Sequence, residues 1–241
     1  KEDELTDDYR WRGYTVPRAS NANYAWILHM ISKLDVSHGI AGFLLANGAL
    51  NDPDEFEIRK QILENDKVEA IIVLPKDMFY TTDISVTLWI VNLNKKAGAV
   101  NGRQLRDRSN EILFMDLRRW DSNIEEIVID KGKNKKKKKT VLTDEQITEI
   151  KKVYSAWQSA DQSEYSDVAE FCKSATIKDV RSHNYSLAPS KYIEFIDHDL
   201  DINYKEEMAR IQVEMQDVMK AEKKSQQMLE EAFRGIGYGI D

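Results

Sequence analysis

Two places in this sequence pair side-chain type with position in a way that suggests binding chemistry. One is the aromatic pair Phe79-Tyr80, in a short polar stretch between two apolar runs. An aromatic ring there can stack on a planar ligand, or it can plug the core beneath. The other is the run Lys135, Lys136, Lys137, Lys138 and Lys139 within "DKGKNKKKKKT". It reads either as a solvated loop or as a loop that contacts phosphates. Other chemistry is thin. His29, His38, His183 and His198 are scattered and lack metal-ligand spacing. Neither a G-x-S-x-G elbow nor a Walker loop occurs. Gly235, Gly237 and Gly239 are spaced like part of a nucleotide-binding turn, but they follow a helical pattern and read as a flexible tail. Carboxylates are numerous, yet no pair stands out on a buried strand. Spacing alone therefore predicts no catalytic residue, no cofactor-binding residue and no metal site.

The elements that position these residues follow from apolar periodicity. "NANYAWILHMISKL" has the spacing of an amphipathic helix, with Asn21 able to cap it. "GIAGFLLANGAL" is short, glycine-flanked and nearly all apolar, so it is predicted as a strand buried on both faces. Pro53 and the acidic Asp54-Glu55 open a helix to about residue 65. "VEAIIVLP" and "ISVTLWIVNL" are two further strands. Helices between buried strands predict a parallel sheet covered on both faces. The eight or so residues around Phe79-Tyr80 are too few for a helical crossover, so this last pair is predicted antiparallel. "NEILFMDL" is a fourth strand. Thr143 and Gln146 have capping-box spacing before a helix marked by Ile147, Ile150, Val153, Tyr154 and Trp157. The stretch that follows is mixed. The segment 202–234 reads as one long helix with a narrow, methionine-rich apolar stripe. Such a helix is not stable alone in water and lies on its own domain or on another chain.

Composition bounds the class. The chain has 241 residues, 41% apolar and 32% charged, with 4 Pro and 10 Gly, which suits a globular fold. A net charge of −7 confines any nucleic-acid contact to a local basic patch. The single cysteine, Cys172, excludes an intramolecular disulfide and suits a reducing compartment. No apolar run reaches the roughly 20 residues of a membrane span.

Several segments together resemble one family. "NANYAWILHMISKL", "GIAGFLLANGAL", "IRKQILEN", "VEAIIVLPKDMFY", "ILFMDLRR", "LTDEQITEI" and "HNYSLAPSKYI" are similar to the C-terminal half of the methylation (M, HsdM-type) subunit of type I restriction–modification systems. The resemblance covers nearly the whole chain. It implies an α/β fold, the C-terminal part of a doubly wound, Rossmann-like methyltransferase sheet whose final strand is reversed. It implies methyl transfer from S-adenosylmethionine to adenine N6 in double-stranded DNA. The partners it implies are a DNA-specificity subunit, docked through the C-terminal helix, and a restriction subunit, in the cytoplasm. The family's loop also lies beside the pocket for the flipped adenine, so Phe79, ahead of Tyr80, is implied as the ring that stacks on the base. That loop usually continues Thr-Gly-Ile-Pro, where this chain has Thr82-Asp83-Ile84-Ser85.

The same resemblance marks what is not in this sequence. There is no Pro-Pro, and none of the four prolines follows an Asn, so the family's Asn-Pro-Pro-aromatic motif is missing. Its glycine-rich cofactor turn is missing too. The chain is therefore read as a fragment that starts just after the catalytic motif, does not bind the methyl donor and is inactive alone. Three regions are expected: 1–120 in the methyltransferase sheet, 121–200 as a mixed extension, and 201–241 as the docking helix and tail. Residues 39–48 are expected to form an exposed apolar edge, which favours self-association there or through the long helix. The competing expectation is a non-enzymatic assembly module that presents a helix to a partner.

Overall fold

The computed structural model describes residues 6–130, 135–161, 164–196, 203–235 and 237. His198 and Gly239 lie outside them, as does the side chain of Lys135. The first part holds α1 (Asn23–Lys33), β1 (Ile40–Ala46), α2 (Phe56–Glu64), β2 (Val68–Val73) and β3 (Val86–Asn92). A small hairpin, β4 (Gly98–Val100) and β5 (Arg103–Leu105), leads to β6 (Glu111–Asp116). A second hairpin, β7 (Ile124–Asp130) and β8 (Lys135–Thr140), precedes α3 (Asp144–Gln158). The rest is β9 (Cys172–Thr176), α4 (Ile177–Ser182) and α5 (Tyr204–Gly235).

Five strands make one sheet in the order β1-β3-β2-β6-β9. β3 runs antiparallel to both β1 and β2, β2 is parallel to β6, and β6 is antiparallel to β9. The expected antiparallel pair is present. The expected parallel sheet is not: β3 lies between β1 and β2 and separates the two strands that a helix connects. The sheet is mixed. This placement also leaves β1 at an edge. Its residues alternate between half-buried and exposed, so it is not covered on both faces. Ala41, Phe43 and Leu45 turn inward, whereas Ile40 and Leu44 stay exposed.

One face of the sheet packs against Tyr24, Ile27 and Leu28 of α1 and Ile58 and Ile62 of α2, around Trp89 and Phe114. The other face packs against Trp157 of α3, with Ile72, Leu113, Met115 and Cys172. β2 is buried at every position. A register shift between Val68 and Ala70 brackets Glu69, whose carboxylate is fully buried. It is tolerated because it is paired and hydrogen-bonded. Gln158 Nε2 donates to it at 2.7 Å, Arg108 Nε at 3.3 Å, and Asn92 Nδ2 also donates.

The capping box at Thr143 and Gln146 is present in both directions. At α1 the N-cap is Ala22, without a side-chain cap. Asn21 acts one residue earlier, its Oδ1 accepting from the Asn23 backbone N–H at 3.1 Å. The lysine run is corrected more sharply. It is not a loop but strand β8, paired antiparallel with β7. Glu125 faces Lys139 and Glu126 faces Lys138 across the ladder, while Ile124, Ile127 and Val128 supply β-branched residues. Opposite charge on the neighbouring strand is what lets five consecutive lysines extend.

The contact pattern divides the chain into two units, Lys1–Phe195 and Ile196–Asp241. In the first, α3 and β9 join the same sheet and core as the earlier strands. The second contains α5, 32 residues long, with none of its described side chains buried. No described helix is long and apolar enough to cross a membrane.

Candidate functional site

The site is built at one end of the sheet. β1, β2 and β6 point the same way, so their carboxyl ends share one edge, the position where open α/β sheets bind ligands. The chain leaving β2 forms the loop 74–85 there. Both of its ends are pinned. Leu74 N–H donates to Val86 O at 2.9 Å, and Ser85 Oγ donates to Leu74 O at 2.6 Å. Asn47, just past β1, reaches across with Nδ2 to Ser85 Oγ at 3.2 Å and accepts from Thr87 Oγ1 at 2.6 Å. Farther out, Asp77 N–H donates to Asp83 O at 3.1 Å and closes the tip. Asp77 takes φ 58°, a conformation its short polar side chain tolerates.

Closure of the tip separates the two aromatic rings. Met78 and Phe79 fold down onto the core cluster around Leu74, Met115 and Trp157. Tyr80 points away and is 60% exposed. Phe79 is therefore half-buried against the core, and Tyr80 is the more exposed of the two.

The β7–β8 ribbon lies against this loop. Thr140 N–H donates to Asp77 O at 2.9 Å, Lys137 Nζ donates to Tyr80 O at 3.1 Å, and Lys137 also pairs with Asp83. The two candidates, 57 residues apart in sequence, thus meet at one place. Strand alternation sorts the lysines. Lys137 and Lys139 are half-buried, whereas Lys136 and Lys138 are exposed. Lys136 Nζ donates to Glu126 at 2.9 Å, and this contact with the lysine charge holds the Glu126 carboxyl below its ordinary value. A recess of about 250 Å3 between ribbon and loop is lined by Lys76, Asp77, Asp121, Ile124, Lys138, Lys139 and Thr140.

Sequence reasoning missed Asn47, Asp77, Asp83 and Thr140 as members of this site. Asn47 reads as a strand stop, and nothing local marks a contact between residue 137 and residue 80. His29 meets Arg10 Nη1 at 3.3 Å and the edge of Trp26, and it takes no part here. Among the described residues no group of three or more His, Cys, Asp or Glu could hold a metal ion.

Comparison with known proteins places this architecture. The family model described as N-6 DNA Methylase matches residues 1–200. The HindI methylase subunit, a type I restriction enzyme component of Haemophilus influenzae, is 31% identical over 239 residues. The match covers 98% of this chain and 48% of that protein. The MjaIX methylase subunit of Methanocaldococcus jannaschii is 29% identical over 224 residues, covering 92% and 36%. A crystal structure of a type I restriction–modification methyltransferase subunit from Streptococcus thermophilus matches with TM-score 0.60 at 24% identity, over 80% of this chain and 35% of that one. The EcoKI M protein matches with TM-score 0.50 at 17% identity, covering 89% and 48%. The chain spans about half or less of the length of these relatives. With its family model matched over 200 residues and type I methylase subunits similar along nearly all of it, the chain belongs to the N-6 DNA methylase family.

Proposed function

We propose that this chain is the C-terminal part of a type I restriction–modification DNA methyltransferase subunit. The parent enzyme moves a methyl group from S-adenosylmethionine to adenine N6 in double-stranded DNA, and this part supplies the base-side loop and a DNA-facing ribbon. The observation that carries the reading is the reversed strand β3 between β1 and β2, which sets the loop of Tyr80 at the carboxyl edge of the sheet. A reversed strand set between two parallel ones supports a methyltransferase-type sheet, which β6 and β9 extend further. In this reading Tyr80 stacks on the extruded adenine, and Phe79 anchors the loop from below. The exposed Lys136 and Lys138 face backbone phosphates.

The described residues do not fit the methyl donor. The turns after the three co-directional strands are Asn47-Gly48, Leu74-Pro75 and Leu117-Arg118, none of them glycine-rich. A Cβ on Gly48 meets nothing within 4 Å, so no close approach of backbone to ligand requires glycine there. The Asp116 carboxylate at the end of β6 is engaged by Arg118 Nε at 2.9 Å. The donor site and the Asn-Pro-Pro-aromatic motif therefore belong to other parts of the parent protein, and this chain alone is inactive. The exposed stripe of α5, with Met208, Ile211, Met215 and Met219, suits docking to a DNA-specificity subunit, and the assembly also takes a restriction subunit. A DNA substrate suits a cytoplasmic location.

The test uses labelled methyl donor, target DNA and the full-length subunit assembled with its specificity subunit. This chain alone is expected to transfer nothing. In the assembly, Tyr80→Ala is expected to lower turnover in line with a stacked base, about 1–3 kcal/mol or roughly 5- to 150-fold, with little change in DNA affinity. Methylation by the chain alone would overturn the assignment of what it lacks. α5, with none of its described side chains buried, also favours a second reading, an assembly module without enzymatic duty. That reading gains if the complete assembly binds DNA and partners but never methylates.

A further inference from the structure

The five lysines of β8 are not equivalent. Lys136 and Lys138 are exposed, while the side chain of Lys137 is only 22% exposed and both its partners lie on the loop. It donates to the carbonyl of Tyr80 and pairs with Asp83, the residue whose own carbonyl closes the tip against Asp77 N–H. The Tyr80 residue is 60% exposed, so the direction of its ring follows largely from its backbone. Among the described residues, the side-chain tie to that backbone from outside the loop comes from Lys137.

We propose that Lys137 is a positioning residue that latches the β7–β8 ribbon to the Tyr80 carbonyl, so that phosphate contacts made by Lys136 and Lys138 set the Tyr80 ring. The proposal rests on the reading of Tyr80 as the base-stacking ring, but the latch itself is measurable without it. The neighbouring tie from Thr140 N–H to Asp77 O holds one side of the tip, and Lys137 holds the other side at Tyr80 and Asp83. An ammonium on a long stem suits the task, since it offers three donors to two acceptors on one side. Phosphate binding on the exposed face of the ribbon and ring placement on the sheltered face then share one rigid strand.

The test has two arms. In the first, hydrogen exchange of residues 76–85 is followed in the full chain. Lys137→Met is expected to speed exchange there several-fold, and Lys136→Met to leave it unchanged. In the second, the full-length subunit assembled with its specificity subunit is assayed for methylation. Lys137→Met is expected to lower kcat about ten-fold with DNA Kd within about two-fold, and Lys137→Arg to restore most of the loss. Unchanged exchange overturns the latch. So does a weaker Kd whose salt slope falls by about one with kcat intact, because Lys137 is then a phosphate contact. Faster exchange with unchanged kcat keeps the latch and removes Tyr80 from the reacting base.

Discussion

Phe79 and Tyr80 sit side by side in the sequence, yet one ring is sheltered in the core and the other stands in solvent. A backbone closed from Asp77 to Asp83 sends consecutive side chains to opposite sides, and only that closure tells the rings apart. Single residues carry the stability of the surrounding unit in the same contextual way. Glu64 on α2 is held by Arg181 through Nε at 2.7 Å and Nη2 at 2.5 Å, and by the Tyr185 hydroxyl at 2.6 Å. These partners, Arg181 first, pull its carboxyl down to about 2 from an ordinary 4.5. A carboxyl depressed in the folded state stabilises above its unfolded value and stops doing so as pH falls through the folded one. The stabilisation is therefore full above pH 4.5 and is lost between about 4.5 and 2. Because the pair is largely exposed, solvent screening holds it to roughly 1 kcal/mol or less. Urea unfolding of Glu64→Gln against wild type is expected to show that gap at pH 7 and none near pH 2. A gap of equal size at both ends of the pH range would mean that the charge is not what matters.

At the scale of elements, the start of α3 is where sequence and structure agree most closely. Thr143 accepts from Gln146 N–H at 3.2 Å, and the Gln146 side chain accepts from Thr143 N–H at 2.9 Å. Thr143→Ala removes one acceptor from an otherwise unsatisfied helix end and is expected to lower stability by about 1 kcal/mol. Chemical denaturation measures it, and a change below about 0.3 kcal/mol would show that water replaces the cap without cost. This motif was legible because both partners lie within four residues. The β2, β3 and β6 strands were legible too, since burial on a central strand writes nearly continuous apolar runs such as "VEAIIV", broken by Glu69 alone. β1 carries the same apolar signature but lies at an edge, because the order of strands depends on pairing between residues far apart in sequence: Ile40 with Asn92 and Ala46 with Val86. β8 failed for the opposite reason. A run of lysines has low strand propensity, and what makes it a strand is the acidic partner strand β7. The candidate site divides the same way. Its aromatic and basic residues stand out by type, but their meeting, and the roles of Asn47 and Asp83, exist only in the folded chain.

At the scale of the whole molecule, the free edge of β1 decides how the chain behaves in solution. Its sequence, Ile-Ala-Gly-Phe-Leu-Leu-Ala, contains no Lys, no Pro and no other charge. Natural edge strands normally carry such residues to prevent pairing with another chain. Ile40 is 55% exposed and Leu44 is 44% exposed on the outward face of this strand. Its far side has no ladder partner among the described residues, since β3 occupies the other. Seven residues long and apolar, the strand has what is needed to pair with a second copy of itself. The chain is therefore expected to self-associate at micromolar concentration, as measured by light scattering. Leu44→Lys adds a charge that an intermolecular ladder would have to desolvate, and it should shift the population to monomer without unfolding the sheet, because the side chain already faces solvent. Met215→Glu, on the exposed stripe of α5, separates the two possible surfaces. If the edge is responsible, that variant associates like wild type. If it becomes monomeric while Leu44→Lys does not, the helix is the contact. A wild-type chain that stays monomeric at tens of micromolar would mean that neither surface is sticky enough to matter, and that the uncharged edge of β1 is tolerated as it stands.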